Sequence, residues 1–417
     1  MRILIVTEQY PPMIGGVASV TSALARNLAD AGHRVWVAAP SETHEHIAQM
    51  DHRVHVRRFA SFEAPSFDGQ RIALLPVAQC HHLLRAVRPD VIHIHQPLVL
   101  GNLMLLLAAI EHIPVVGTNH YMPVNVAPGV NPDALLGRSV EAITYSFLVG
   151  FYNRCDFVTA PSETALALLK RHGLRPPARA ISNGVDVRRF FPGPRDEALR
   201  QRLGLPDDRP LILAVGRLSK EKHLHTLLDA FAQLRIPAHL AIGGSGPARA
   251  ELEHQARALD IARRVTFLGH IEDADLAPLY RLGDVFAIAS IAELQSLVTL
   301  EAMAVGLPVV AADAGALPEL VHDGENGLLF PPDDSAALAH RLAALAEDPA
   351  MRRAMSARSL AIAISHDSEH VLAQWERQYA ELARGTLART APRSGRRTTH
   401  RTGTDRREWS TLADDSG

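Results

Sequence analysis

A strand–helix alternation that runs its course, stops and starts again constrains this chain more than anything else in it. Arg2–Thr7 reads as a strand. A loop with Pro11, Pro12, Gly15 and Gly16 follows. Val17, Val20, Leu24 and Leu28 then recur at helical spacing, with Gly32 placed as a C-terminal cap. Apolar runs at His33–Ala39, Val54–Arg58, Asp90–His95, Pro114–Thr118 and Asp156–Ala160 alternate with further helical stretches. Strands separated by helices predict a parallel sheet covered on both faces. Pro192, Gly193 and Pro194 punctuate the chain. A second series begins at Leu211–Val215 and continues at Ala238–Ile242, Val265–Leu268, Asp284–Ala289, Pro308–Ala311 and Gly327–Phe330. The two series span about 185 and about 175 residues, each the size of one domain. The expectation is two doubly wound α/β domains, 1–187 and 188–365, joined near 186–196, with a ligand cleft between them.

One more helical stretch, 366–384, carries Val371, Leu372, Trp375 and Tyr379 on one face and is expected to pack back on the N-terminal domain. From 385 to 417 arginines are interleaved with Thr, Ser and Gly, and a segment with so little to bury is expected to be disordered. Elsewhere the composition is that of a globular protein, with 47% hydrophobic and 21% charged residues among 417. Basic and acidic residues nearly balance, 43 against 45, so no nucleic acid partner is expected. Two cysteines, Cys80 and Cys155, make no disulfide framework and suit a reducing cytoplasm. The apolar start is too short for the core of a signal peptide. The most apolar run, Pro97 to Ile110, falls short of the ~20 residues of a membrane span. It predicts a buried helix, or else contact with a membrane surface. No pair among the 22 histidines has the spacing of a metal site.

The chemistry concentrates between Glu293 and Val310. Glu293 falls in the loop after the strand Asp284–Ala289, and Glu301, eight positions on, lies inside the next helix. A helix start therefore sits between two carboxylates, and free N–H groups at a helix start attract phosphate. The picture is a nucleotide-sugar straddling that start; the plain alternative is a capping glutamate and a solvated one. Gly306-Leu307-Pro308-Val309-Val310 downstream makes the segment more specific. Arg217 and Lys222 follow the first strand of the second series, where two cations can grip a diphosphate and neutralise the charge it gains. Asp273-Ala274-Asp275 has the look of a metal-binding D-x-D, but it opens a helix, where carboxylates are favoured, and no metal is expected.

This segment resembles the E-x7-E motif of retaining glycosyltransferases of family 4 with the GT-B fold. The resemblance extends over roughly residues 1–384. It takes in Pro11-Pro12 with Gly15-Gly16-Val17, Asp90-Val91-Ile92-His93-Ile94-His95, Pro161-Ser162, Asn183-Gly184-Val185-Asp186, Val215-Gly216-Arg217-Leu218 with Glu221-Lys222, and Gly243-Gly244-Ser245-Gly246-Pro247. It implies two Rossmann-like domains facing one cleft, with the donor held mainly by the second. It further implies that Arg217 and Lys222 hold the diphosphate, that Glu293 holds the donor sugar, and that Glu301 holds the ribose. Gly16 would let the chain approach the phosphates, while Gly244 and Leu268 would line the base. The backbone amides of Ser296 and Leu297 would face the β-phosphate. His120, at a strand end, would lie beside the transferred sugar. The family usually has an aromatic residue and a glycine where this chain has Gln295 and Ser296, which loosens the transfer of donor specificity.

The reading is a retaining hexosyltransferase that uses a nucleotide-diphospho-sugar, UDP- before GDP-, without metal or other cofactor. Front-side attack, with the leaving phosphate accepting the proton, would account for retention. Pro97–Ile110 and Thr118–Asn125 look like the subset acting on diacylglycerol, and the apolar stretch Ala142–Phe151 would help a lipid approach. A lipid acceptor at the inner membrane face is therefore one expectation. A polysaccharide or cell-envelope intermediate and a small molecule are the others. A sugar-nucleotide-binding protein without turnover and an isomerase on the same scaffold are the rivals of another class. Donor sugar, linkage and oligomeric state are left open by the sequence.

Overall fold

A computed structural model describes residues 1–63, 71–123 and 135–385. The basic tail and the end of the Thr118–Asn125 segment lie outside the described residues. Ten strands among the described residues precede position 181: β1 (Arg2–Val6), β2 (Arg34–Pro40), β3 (Ile47–Asp51), β4 (Val54–Phe59), β5 (Ser61–Glu63), β6 (Arg71–Ala73), β7 (Val91–Ile94), β8 (Val115–Thr118), β9 (Phe157–Ala160) and β10 (Ala178–Ala180). Eight of them pair in the order β10-β9-β8-β7-β1-β2-β4-β3, while β5 and β6 pair with each other. All neighbours in the large sheet are parallel except β3 with β4. Helix Gly16–Asp30 joins β1 to β2 and ends as the residues dictate. Gly32 takes φ +90° and donates to Ala29 O, and His33 N reaches Leu28 O at 3.1 Å.

The second series gives β11 (Leu211–Val215), β12 (His239–Gly243), β13 (Val265–Gly269), β14 (Val285–Ile288), β15 (Val309–Ala312) and β16 (Gly327–Phe330). They form one parallel sheet in the order β13-β12-β11-β14-β15-β16. This is the doubly wound pattern twice over. Observed strand ends differ by a residue or two from the apolar runs. Four short strands escaped the sequence reading. β3 is an edge strand with no buried residue, and β5, β6 and β10 have three residues each. Such segments carry no apolar alternation to detect.

The chain passes between the two lobes twice, side by side. Val185 N donates to His366 O at 2.9 Å and Ser368 N to Val185 O at 3.0 Å. The last helix, Ser368–Ala383, then lies on the first lobe. Its Val371, Trp375, Tyr379 and Leu382 are buried in one cluster with Ile3, Ile5, Val35 and Val91. The Tyr379 hydroxyl meets His93 Nδ1 at 2.7 Å, and the Trp375 ring lies 4.6 Å from the His93 ring.

Two expectations need correction. Pro97–Ile110 does form a helix, Val99–Glu111, and buries Leu100, Leu103, Met104 and Leu107. It is not buried all round, since Leu106 is 52% and Ile110 61% exposed. Asp273 and Asp275 lie in the first turn of helix Asp273–Leu282, but neither caps it; Glu272 stands at the cap. They pair instead with Arg189 and Arg202, each at 2.7 Å. No described helix is long and apolar enough to cross a membrane.

Trp375→Ala should cost about 3–5 kcal/mol in a denaturant titration, because it opens a cavity under the returning helix. The half-exposed neighbour Leu372→Ala should cost much less. Equal losses would contradict docking of the last helix through Trp375.

Candidate active site

Open α/β sheets bind ligands beyond the strand C-termini, where the strand order reverses. In the first sheet that point lies between β1 and β7, and in the second between β11 and β14. Glu8 follows β1 and His95 follows β7; Arg217 follows β11 and Glu293 follows β14. The topology therefore collects the chemistry-bearing residues of both lobes at their two reversal points.

On the second lobe, Lys222 Nζ reaches Glu293 Oε1 at 2.6 Å. Lys222 ends the short 3-10 turn Lys220–Lys222, and Glu293 is 8% exposed. Ser219 donates to Glu221 at 2.5 Å, and Ser290 donates to the Glu221 carbonyl, which ties this turn to the β14 loop. Arg217 is exposed at the end of β11. Gly244 explains the close approach of the neighbouring glycine turn: it has φ +129°, and a Cβ there would fall 1.9 Å from Gly216 O. Only glycine lets the two loops touch.

Ser296 caps helix Leu297–Ala304 by accepting from Thr299 N, and the N–H groups of Leu297 and Val298 before it have no acceptor within the helix. A Cβ added to Gly16 would lie 4.0 Å from Leu297 Cδ1. The N-terminal loop thus closes over the helix start that the sequence placed between the two glutamates. Glu301 sits one turn deeper and accepts from the Tyr280 hydroxyl at 2.8 Å. Burial pushes its carboxyl up to about 7. Leu268, half-buried in β13, is separated from β11 by β12 and does not join the Lys222–Glu293 pair.

On the first lobe, His120 Nε2 meets His95 Nδ1 at 2.9 Å, with the two rings stacked. The His95 ring packs 4.0 Å from His93, whose Nε2 contacts Thr118 Oγ1 at 2.6 Å. Burial holds His93 and His95 well below the ordinary imidazole range and pulls His120 down to about 4, so all three are neutral at pH 7. Sequence reasoning missed Glu8. It is 1% exposed; Oε1 accepts from Leu100 N at 2.7 Å, while its backbone N–H donates to Gln96. Its burial raises the carboxyl to about 7. Among the described residues, Glu8 Oε2, His95 Nε2 and Gln96 Nε2 have no hydrogen-bond partner. Glu8 also lines a cavity of about 200 Å³, together with Tyr10, Pro40, Arg58 and Arg71 among others. The signal that could have found Glu8 is its place two residues past the first strand.

Gln295, which stands where the family carries an aromatic residue, joins the lobes. Its Oε1 accepts from Asn183 N at 2.7 Å, and its Nε2 donates to Ser182. Ser162 donates to Leu294 O at 2.6 Å, and Glu319 accepts from Glu163 N and Thr164 N at the start of helix Glu163–Arg171.

The raised Glu8 value makes a signed prediction. Below about pH 4.5 the carboxyl is protonated in both folded and unfolded chains. Between 4.5 and 7 only the unfolded chain ionises, so stability falls as pH rises through that window and levels off above it. Glu8→Gln keeps the acceptor for Leu100 and lacks this loss. Its melting temperature relative to the parent should climb from pH 5 to pH 8, by the equivalent of ~3 kcal/mol. A difference independent of pH would refute a protonated Glu8.

Residues 14–189 match the family described as Glycosyltransferase Family 4, and residues 195–360 match Glycosyl transferases group 1. The chain is 32% identical to a GDP-mannose-dependent alpha-mannosyltransferase of Mycolicibacterium smegmatis, over 82% of this chain and 89% of that one. It is 29% identical to the alpha-monoglucosyldiacylglycerol synthase of Streptococcus pneumoniae, over 79% and 75%. Among solved structures, Anabaena Alr3699/HepE in complex with UDP superposes with a TM-score of 0.74 at 26% identity, covering 91% of this chain and all of that one. With two doubly wound lobes and these matches along both, the chain belongs to the group 1, family 4 glycosyltransferases: it is a hexosyltransferase of the GT-B fold.

Proposed function

We propose that this hexosyltransferase is a retaining enzyme that takes its sugar from a UDP-sugar and needs no metal for the transfer. The observation that carries the reading is the Lys222–Glu293 pair at 2.6 Å, which sets a cation and a sugar-binding carboxylate together in the cleft. The start of helix Leu297–Ala304 adds N–H groups and a partial positive charge of about +0.5. With Arg217 these groups match the charge that a diphosphate gains as the sugar leaves. Glu301 takes the ribose hydroxyls, Gly244 and Leu268 flank the base, and Gly16 covers the phosphates. Neutral His120 lies on the sugar side. Retention follows from front-side attack, in which the leaving phosphate oxygen accepts the proton of the incoming hydroxyl. The UDP complexes of Alr3699/HepE support the choice of nucleotide. The mannosyltransferase relative, whose name specifies GDP-mannose, keeps a GDP-sugar as the second reading.

For the acceptor we favour a lipid hydroxyl, such as that of diacylglycerol, presented at the inner membrane surface to a cytoplasmic enzyme. Helices Val99–Glu111 and Leu135–Tyr152 share one apolar core, and each also turns two large apolar residues outward one turn apart. These are Leu106 with Ile110, and Ile143 with Phe147, which are 70% and 53% exposed. The monoglucosyldiacylglycerol synthase relative supports the same choice. A polysaccharide or cell-envelope intermediate, or a small molecule, would instead exploit the polar cavity beside Glu8. Nucleotide release from a panel of UDP- and GDP-sugars, with and without lipid extract, tests donor and acceptor together. Release that ignores the lipid removes the lipid reading.

Arg217→Ala should lower kcat by ~10²–10³ with an unchanged melting temperature, as for one lost electrostatic donor. Lys222→Ala should lower kcat similarly and also lower the melting temperature, because it strands the buried Glu293 carboxylate. Full activity in either variant would remove the diphosphate assignment.

Transfer should persist after chelator stripping. Asp273 and Asp275, the D-x-D carboxylates, are already engaged by Arg189 and Arg202. Loss of transfer on stripping, restored by magnesium or manganese, would overturn this.

A further inference from the structure

We infer that His223, His225 and Asp333 form a binding site for a zinc-type divalent ion, separate from the diphosphate grip. One ligand atom from each lies within 4.8 Å of the others. His223 Nδ1 already meets Asp333 Oδ1 at 2.5 Å, and the two imidazole rings lie 5.1 Å apart. Two imidazoles and one carboxylate are a donor set for zinc, cobalt or nickel rather than magnesium or calcium. The spacing was invisible in the sequence because the carboxylate comes from 110 residues downstream of His223.

The backbone is built to bring these groups together. His223 has φ +49° and Asp333 φ +61°, in the left-handed region where an L side chain is strained and glycine is not. Both strained positions carry the groups that meet. His225 is anchored by its carbonyl, which accepts from Gln255 Nε2 at 3.0 Å. The Thr226 hydroxyl donates to Asp333 Oδ1 at 3.4 Å and orients the carboxylate, as outer partners do in metal sites.

The electrostatics narrow the ion further. His223 stands at the N-cap position of helix Leu224–Gln233 without a side-chain capping bond, and Asp333 directly precedes the Asp334 cap of helix Ser335–Glu347. Two helix starts present positive partial charge, which stabilises the carboxylate but opposes a cation held by charge alone. Only an ion bonded strongly to imidazole nitrogen overcomes this, which again selects zinc, cobalt or nickel. A bound ion takes the place of the direct His223–Asp333 hydrogen bond. It also clamps the loop after β16 to the turn that carries Lys222. The site itself does not depend on the donor assignment.

The test is calorimetric titration of the full-length, chelator-stripped protein with zinc chloride, and in parallel with magnesium and calcium chloride. One zinc per chain should bind with a Kd of about 1 µM, with no heat from magnesium or calcium. His225→Ala and Asp333→Asn should each weaken zinc binding by more than the about 10–100-fold that an outer partner costs. His225 and Asp333 are exposed, so both variants should fold, and His225→Ala should keep its sugar transfer. Zinc should raise the melting temperature of the parent and not of His225→Ala. Absence of stoichiometric zinc binding, or equal binding by parent and both variants, would overturn the site and leave the donor reading untouched.

Discussion

The pairing of Val185 with the His366–Ser368 backbone is the constraint on which the rest of the structure depends. It lays the two lobe-to-lobe crossings side by side and sends the last helix back to the first sheet, where Trp375 and Tyr379 close over His93. Each sheet presents its reversal point, with the chemical residues beyond it. With the lobes joined in this way, those points face one cleft: Gly16 comes over Leu297, Gln295 reaches Asn183, and Glu319 caps the helix that begins at Glu163. Every one of these contacts joins residues more than a hundred positions apart in the chain, so none forms before both lobes are folded and docked.

Within the cleft, burial sorts the carboxylates into two kinds. Glu293 is buried beside an ammonium, and its charge has a partner. Glu8 and Glu301 lose solvent with no cation in contact among the described residues, and both carboxyls rise to about 7. The three neighbouring histidines are kept neutral by the same loss of solvent. The first lobe offers uncharged imidazoles together with Glu8, Arg58 and Arg71 of its cavity, while the second offers Arg217 and the Lys222–Glu293 pair.

Much of this was legible in the residues. Apolar runs four to seven residues long marked the strands that form the two sheets, because a buried parallel strand has to be apolar on both faces. Gly32 marked a helix end, and the Glu293–Glu301 spacing marked a helix start between two carboxylates. Other features left no local trace. β3 has no buried residue, and β10 is too short for any period. Asp273 and Asp275 read as caps because the arginines that engage them lie 84 and 73 positions away. Glu8 looked like a loop residue, because nothing near it in the chain reveals that Leu100 and Gln96 close over it.

The sequence by itself determined the two doubly wound lobes and the residue types available for holding a nucleotide-sugar. Those follow from periodicity and local backbone chemistry, which act over a few residues. The tertiary structure alone decided which charges meet, which carboxylates lose their water, and that Gln295 joins the lobes. These depend on contacts between distant segments, and the energy of a buried charge is set by whatever the fold places around it.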